Sequence, residues 1–360
     1  MRTLSTITDP VFVKPDSYSA FDSFWLNLIR DERDLPFVHL TIRITLVLVP
    51  LAVLMYLPFV TGWIWWAVAA AYFYFNNFVF KGPFGLMLHC TSHRKWFKQQ
   101  YEWMNMYLPW FVGLFFGQTP ETYYSHHIGM HHPENNLEDD ESSTMSYQRD
   151  SFIDFMRYFL NFFFTGLLTL IQYLTFRKRF ELRNKAIRGE AFFILMCVVL
   201  CLVNWPATVM VFILPFFLSR FIMMLGNWAQ HSFVDHEEPG NCYKNSITCI
   251  NTDYNHKCWN DGYHISHHLK PAMHWTLHPE HFLQNKKEYS QNQALVFDGI
   301  HFLHIWWHLM WHNYDKLAAH VVNLNGEFAS EAEAIELMKQ RTLKIPPRGI
   351  TARSLRRSVA

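Results

Sequence analysis

The chain has 360 residues, of which 50% are hydrophobic and 18% aromatic, a composition that excludes a disordered protein. Its 31 Lys plus Arg against 30 Asp plus Glu give a net charge of +1, without the basic surplus that nucleic-acid binding draws on, so no nucleic-acid partner is expected. A mean hydropathy of -0.03 averages long apolar stretches with polar termini and 21 histidines. The distribution of apolar residues therefore matters more than their mean.

In chain order, the residues before Pro36 mix charges, prolines and aromatics with no basic start leading into an apolar run, so no cleavable signal peptide is expected. Residues 1–35 read as an N-terminal cytosolic segment. The stretches 44–60 and 63–80 carry no charge, each about the length a bilayer core demands of a helix, with Thr61 and Gly62 suited to a tight turn between them. A second charge-free block, 191–219, is interrupted by Asn204, Trp205 and Pro206, a sequence suited to a reversal. Two helical hairpins are predicted. The apolar stretch 107–117 is too short to span, and 158–176 carries Asn161, Thr165, Thr169, Gln172 and Thr175, so both are read as lying along the interface.

Lys and Arg crowd the segments flanking the hairpins (Arg94, Lys95, Lys98; Arg177, Lys178, Arg179, Arg183, Lys185, Arg188) and are absent from both turns, which puts the bulk of the chain in the cytosol. Arg220, inside the last apolar stretch, is read as snorkelling to the interface, with substrate head-group contact as the alternative. Residues 316–360 read as a C-terminal cytosolic tail, acidic and helical at Glu331, Glu333 and Glu336, basic at Arg348, Arg353, Arg356 and Arg357, and partly disordered. The six cysteines include no Cys-x-x-Cys pair, and disulfides are not expected. The predicted fold class is all-α: a polytopic membrane protein with two transmembrane hairpins, four spans in all, within a domain over 36–315 and capped by a cytosolic helical domain.

Histidines cluster just outside the apolar blocks. His89 and His93 in HCTSH stand at i, i+4, on one helix face. In SHHIGMHHPENN, His127 lies one helical turn from the adjacent pair His131 and His132, whose side chains point about 100° apart and can therefore serve different metal ions. His264, His267 and His268 repeat the logic. After the last apolar stretch, GNWAQH sets His231 four residues beyond Asn227; the imidazole is read as a ligand and the amide as a weak or water-mediated one. All-imidazole coordination points to Fe, Zn, Cu or Ni, and nine nitrogens are too many for one ion, so two metals are implied.

HCTSH, HHIGMHH and HISHH in this order, with a hairpin before the first and another before the third, resemble the integral membrane fatty-acid desaturase and hydroxylase superfamily over roughly residues 36–281. The resemblance implies a non-haem di-iron centre on the cytosolic face, with O2 as co-substrate. It assigns as ligands His89, His93, His127, His131, His132, His231, His264, His267 and His268, with Asn227 second-shell or water-mediated. His126 doubles the start of the second box and is an alternate to His127. The spacing of the first two boxes looks closer to acyl-lipid or sphingolipid types than to acyl-CoA types. No His-Pro-Gly-Gly haem signature is present, so a separate electron donor, of cytochrome b5 or ferredoxin type, is implied. The expected activity is insertion of a double bond into the acyl chain of a fatty acid or lipid. The alternatives are hydroxylation on the same centre and, from another class, a membrane metal transporter or metal-binding protein. An endoplasmic reticulum membrane is the expected location.

Other features have blander readings. Trp63, Trp65, Trp66, Tyr72, Phe73, Tyr74 and Phe75 can wall an acyl slot but read first as lipid-facing or packing residues. His301, His304, His308 and His312 form a helical stripe read as part of a half-buried helix rather than an auxiliary metal face. His274, His278 and His281 are read as orienting ligands or lining an entrance, and the acidic run 138–141 as a solvated loop.

Overall fold

A computed structural model describes residues 1–347; the basic positions Arg348, Arg353, Arg356 and Arg357 lie outside the described residues. The chain is mostly helical and divides into two compact units, one built from 1–11, 127–179 and 221 onward, the other from 12–126 and 180–220. Among the described residues, three helices are long and apolar enough to cross a membrane by length and composition: Glu32–Tyr56, Phe152–Phe176 and Phe180–Gln230. The stretch read as interfacial from residue 158 thus belongs to a 25-residue helix, Phe152–Phe176, about 37 Å long at 1.5 Å per residue, which suffices to span.

In the second unit the first hairpin forms as expected. Leu35–Tyr56 is followed by a turn at 57–61 and a continuous helical run, 62–93, which includes a π-helical turn at Phe75–Phe80. The two arms run antiparallel: Trp65 Nε1 donates to the Met55 carbonyl at 3.1 Å near the turn, and Thr41 meets Met87 farther along. Trp63, Trp66 and Tyr74 are exposed, while Tyr72 is buried with its hydroxyl 3.1 Å from the Phe115 carbonyl and 3.0 Å from that of Val211.

The helical run over 180–230 reverses where the sequence predicts. Asn204 leaves helical geometry (φ -156°, ψ 93°) just before Pro206, and its side chain caps the new helix by accepting from the Ala207 amide. The reversal returns Arg220 to Glu190, 2.9 Å apart, and stacks Phe216 on Phe193, pairings that a straight helix would hold tens of ångströms apart. Two glycines make this packing possible: a Cβ on Gly189 would sit 1.6 Å from the Pro120 carbonyl oxygen, and Gly117, at φ +68°, has Phe216 backbone where its Cβ would be.

Arg220 therefore neither snorkels nor reaches out to a head group. It is mostly but not fully buried, ion-paired with the buried Glu190, 3.3 Å from the Gly117 carbonyl and lying over the Phe216 ring, while Thr119 donates to the same Glu190 oxygen at 2.7 Å. Removing one member of a buried pair strands the other charge. Glu190→Ala is expected to cost about 3 kcal/mol and to lower the melting temperature in detergent, whereas an unchanged melt would show the pair to be incidental.

The first unit packs Phe155, Tyr158 and Phe159 of Phe152–Phe176 against Met224, Leu225 and Trp228 near the end of Leu214–Gln230. The apolar positions recur at i, i+3 and i+4, one face of a helix. Two parallel strand pairs, absent from the all-α expectation, complete the unit: Arg2–Thr3 with Val322–Asn323, and Thr248–Ile250 with Val296–Asp298. These strands are short, and the Thr-Cys-Ile and Val-Phe-Asp triplets are buried, so little alternation was available to reveal them. The acidic helix after Asn325 forms over Glu331–Thr342, but it is no loose extension: Ala334 and Met338 are buried beside Ala229 and Phe233.

Candidate metal centre

The residues of the second box do not form an ordinary α-turn. His127–His131 is π-helical and His132–Glu134 resumes the α form. A π turn brings residues i and i+5 together rather than i and i+4. The imidazoles of His127 and His132 accordingly face each other with Nε2 atoms 3.0 Å apart, while the rings of His127 and His131 are 5.7 Å apart. His131 is turned elsewhere.

The third box is a short buried helix, His264–Leu269, on which His267 and His268 point apart, their planes at 76°. His267 Nε2 lies 2.9 Å from His132 Nε2, joining His127 and His132 in one set. His268 and His264 face each other with Nε2 atoms 3.0 Å apart, and His264 Nε2 is 3.2 Å from His231 Nε2. With His131 these make a second set, His131, His231, His264 and His268, whose ligand atoms all lie within 4.8 Å of one another. Both adjacent pairs, His131/His132 and His267/His268, are thus split between the two sets. On the other unit, His89 and His93 share one face of Lys81–His93, rings 5.2 Å apart, with His89 buried. His126 is in neither set.

The donor chemistry suits metal ions. A neutral imidazole has one protonated and one unprotonated nitrogen, so the Nε2 of His264 cannot satisfy both His231 and His268 by hydrogen bonding. The opposite nitrogens are held from outside. His131 Nδ1 is 2.8 Å from Asp140 Oδ2, and His231 Nδ1 is 2.9 Å from the Asn245 carbonyl, contacts that fix each ring with its Nε2 lone pair inward. Burial, reinforced by His131, pushes the His231 imidazole down to about 4, and burial among its histidine neighbours holds His268 well below the ordinary value. Both are neutral at pH 7, as ligands must be.

Asp140 corrects the reading of 138–141 as a solvated loop. It is fully buried, its second oxygen accepts from the Ser142 amide and hydroxyl, and its neighbour Asp139 pairs with Arg177. Asp140→Asn keeps the shape and removes the charge behind His131. It is expected to weaken metal binding about 10- to 100-fold, read by titrating the metal-free protein with Co(II); wild-type affinity would refute the role.

Asn227 donates its amide to the Ser142 carbonyl at 3.0 Å and to the Tyr158 hydroxyl at 2.6 Å, which commits its nitrogen to the scaffold. His278 Nδ1 meets the Ser266 hydroxyl at 2.7 Å, with its ring 6.3 Å from that of His267, while His274 caps the turn Trp275–Leu277. His301 and His304 cap the helix Phe302–Met310, each side chain accepting from a backbone amide, and His301 stacks on Tyr254. That stripe joins no metal-ligand set among the described residues.

The family model for fatty acid desaturases matches residues 65–299. The chain belongs to the fatty acid desaturase family. It is therefore a membrane protein of an oxidoreductase family that acts on lipid, and its match runs from the first hairpin through all the histidine sets. No curated protein and no solved structure gives a significant match to this family member.

Proposed function

We propose that this chain inserts a double bond into the acyl chain of a membrane lipid or fatty acid, at a pair of irons held by His89, His93, His127, His131, His132, His231, His264, His267 and His268. The observation that carries the reading is the sorting of seven buried or half-buried imidazoles into two convergent sets, with each adjacent pair divided between them. Three imidazoles in one set and four in the other leave room in the first, and the His89/His93 pair supplies two more by ligand type. His126 is left out, and Asn227, its nitrogen already committed, retains only its carbonyl oxygen for a water-mediated role.

When bound, the irons supply the oxidising power to remove hydrogen from an unactivated methylene, with O2 as co-substrate and electrons from a separate donor, work no side-chain acid or base can do. The chain's own residues place that chemistry. Asp140 and Asn245 orient His131 and His231, and the buried setting keeps the ligands neutral. The domain of the reaction is the 36–315 stretch, with four spans in two hairpins and the site facing the cytosol of the endoplasmic reticulum; the basic segments flanking the hairpins support that orientation.

Purified protein is expected to carry about two irons per chain and to consume O2 only with reductant, donor and lipid. Lipid profiles of cells expressing the chain, set against a ligand-to-Ala variant, are expected to show a new alkene. A new alcohol would assign hydroxylation. Zinc in place of iron, with metal moving across liposomes, would overturn the oxidase reading in favour of transport.

A further inference from the structure

The N-terminal residues, unremarkable as sequence, reach the third histidine box. Residues 1–11 belong to the unit that carries the box, anchored at one end by the pairing of Arg2–Thr3 with Val322–Asn323. At the other end Asp9, 4% exposed, accepts from four uncharged donors. The Tyr263 hydroxyl is 2.6 Å and the Asn251 amide 2.8 Å from Oδ2; the Asn255 side-chain amide is 2.9 Å and the Thr252 amide 3.3 Å from Oδ1. The next carbonyl, Pro10, accepts from Asn260 Nδ2 at 2.8 Å.

Tyr263 is the residue on which the box helix starts. It is fully buried, it directly precedes His264, and its carbonyl accepts from the His267 amide and the Ser266 hydroxyl, both at 3.0 Å. A carboxylate that fixes this residue fixes the first turn of a six-residue helix, His264–Leu269, that has no side-chain cap of its own. The three ligands on that helix divide between both metal sets, so a rotation of the helix disturbs both. A buried carboxylate with four donors is costly to place and has no evident use in packing alone.

We propose that Asp9 is a positioning residue for the metal centre, setting the orientation of His264, His267 and His268 through Tyr263. The assignment rests on the metal-centre reading above. Its test uses the full-length protein in detergent, stripped of metal and titrated with Co(II), whose visible absorption reports coordination geometry. Asp9→Ala and the milder Tyr263→Phe, which removes only the hydroxyl, are each expected to weaken Co(II) binding about tenfold or more and to alter the band shape. Their double variant is expected to be no worse than the weaker binder of the two. Arg2→Ala, which loosens the other end of the same segment by breaking a half-exposed ion pair with Asp298, is expected to leave the spectrum unchanged.

Wild-type spectra and affinity in both Asp9→Ala and Tyr263→Phe, with binding lost in His267→Ala, would overturn the role of Asp9 while sparing the metal centre. The same loss in Arg2→Ala would also overturn it, since general attachment of the segment would then suffice. Wild-type binding in His267→Ala would instead remove the centre itself, and the proposal with it.

Discussion

Replacing His267 with alanine is expected to abolish product formation while leaving expression and membrane insertion intact. His267 meets His132 at 2.9 Å between Nε2 atoms and stacks parallel to His127, ring centroids 6.0 Å apart, so it is central to its set rather than peripheral. Neither adjacent imidazole can take its place: His268 is committed to His264 on the other face, and His278 is held through Ser266. Alanine is a good helix former, so the box helix should persist without the ligand. The comparison that gives the result meaning is His304→Ala, which removes only half of a capping box and is expected to keep near-wild-type activity. Both are read by product lipid per unit of membrane protein and by iron per chain. Retained activity in His267→Ala would refute the ligand assignment.

Much of this centre was legible because its chemistry is local. Histidines at i, i+3 and i+4 announce a shared face, and adjacent histidines must diverge, which is how His131/His132 and His267/His268 come to serve different sets. The reversal at Asn204 and Pro206 was legible for the same reason: one proline and one amide decide it. What stayed hidden depends on partners far away in sequence. The π turn at His127–His131 trades His131 for His132 as the neighbour of His127, and nothing in the spacing distinguishes the two helical forms. Asp140 looked like one of four surface acids until His131 closed on it. Glu190 lies one residue outside the charge-free block, so the ion pair that explains Arg220 fell across the boundary drawn by hydropathy. Asp9 serves a residue 254 positions away.

The second large effect is expected at a residue with no part in the chemistry. Arg149 is fully buried, and its nitrogens donate to six backbone carbonyls. Nε reaches Ser232 at 3.1 Å; Nη1 reaches Thr144 at 3.3 Å, Met145 at 3.1 Å and Tyr147 at 3.3 Å; Nη2 reaches Arg341 at 2.9 Å and Leu343 at 2.5 Å. Burial pulls its pKa down to about 9, which still leaves it charged at pH 7. One side chain thus ties three stretches together: the loop after the second box, the residue beyond His231, and the end of Glu331–Thr342 with the residue that follows it. Methionine fills similar volume with no donor. The Thr144, Met145 and Arg341 carbonyls keep backbone N–H partners in Tyr147, Ile345 and Val234, but those of Ser232, Tyr147 and Leu343 lose the guanidinium, and each carbonyl so left unpaired costs about 1–3 kcal/mol. Three such losses would already rival the 5–15 kcal/mol that holds a typical fold. Arg149→Met is therefore expected to yield little folded protein, with cleavage by protease near residues 341–345 as the first sign. Lysine should recover only part of the loss, because one ammonium has three donors and no fork to reach six acceptors. A melting temperature in Arg149→Met within a few degrees of wild type would mean that water satisfies those carbonyls, and that the C-terminal segment is held by the burial of Ala334, Met338 and Ile345 instead.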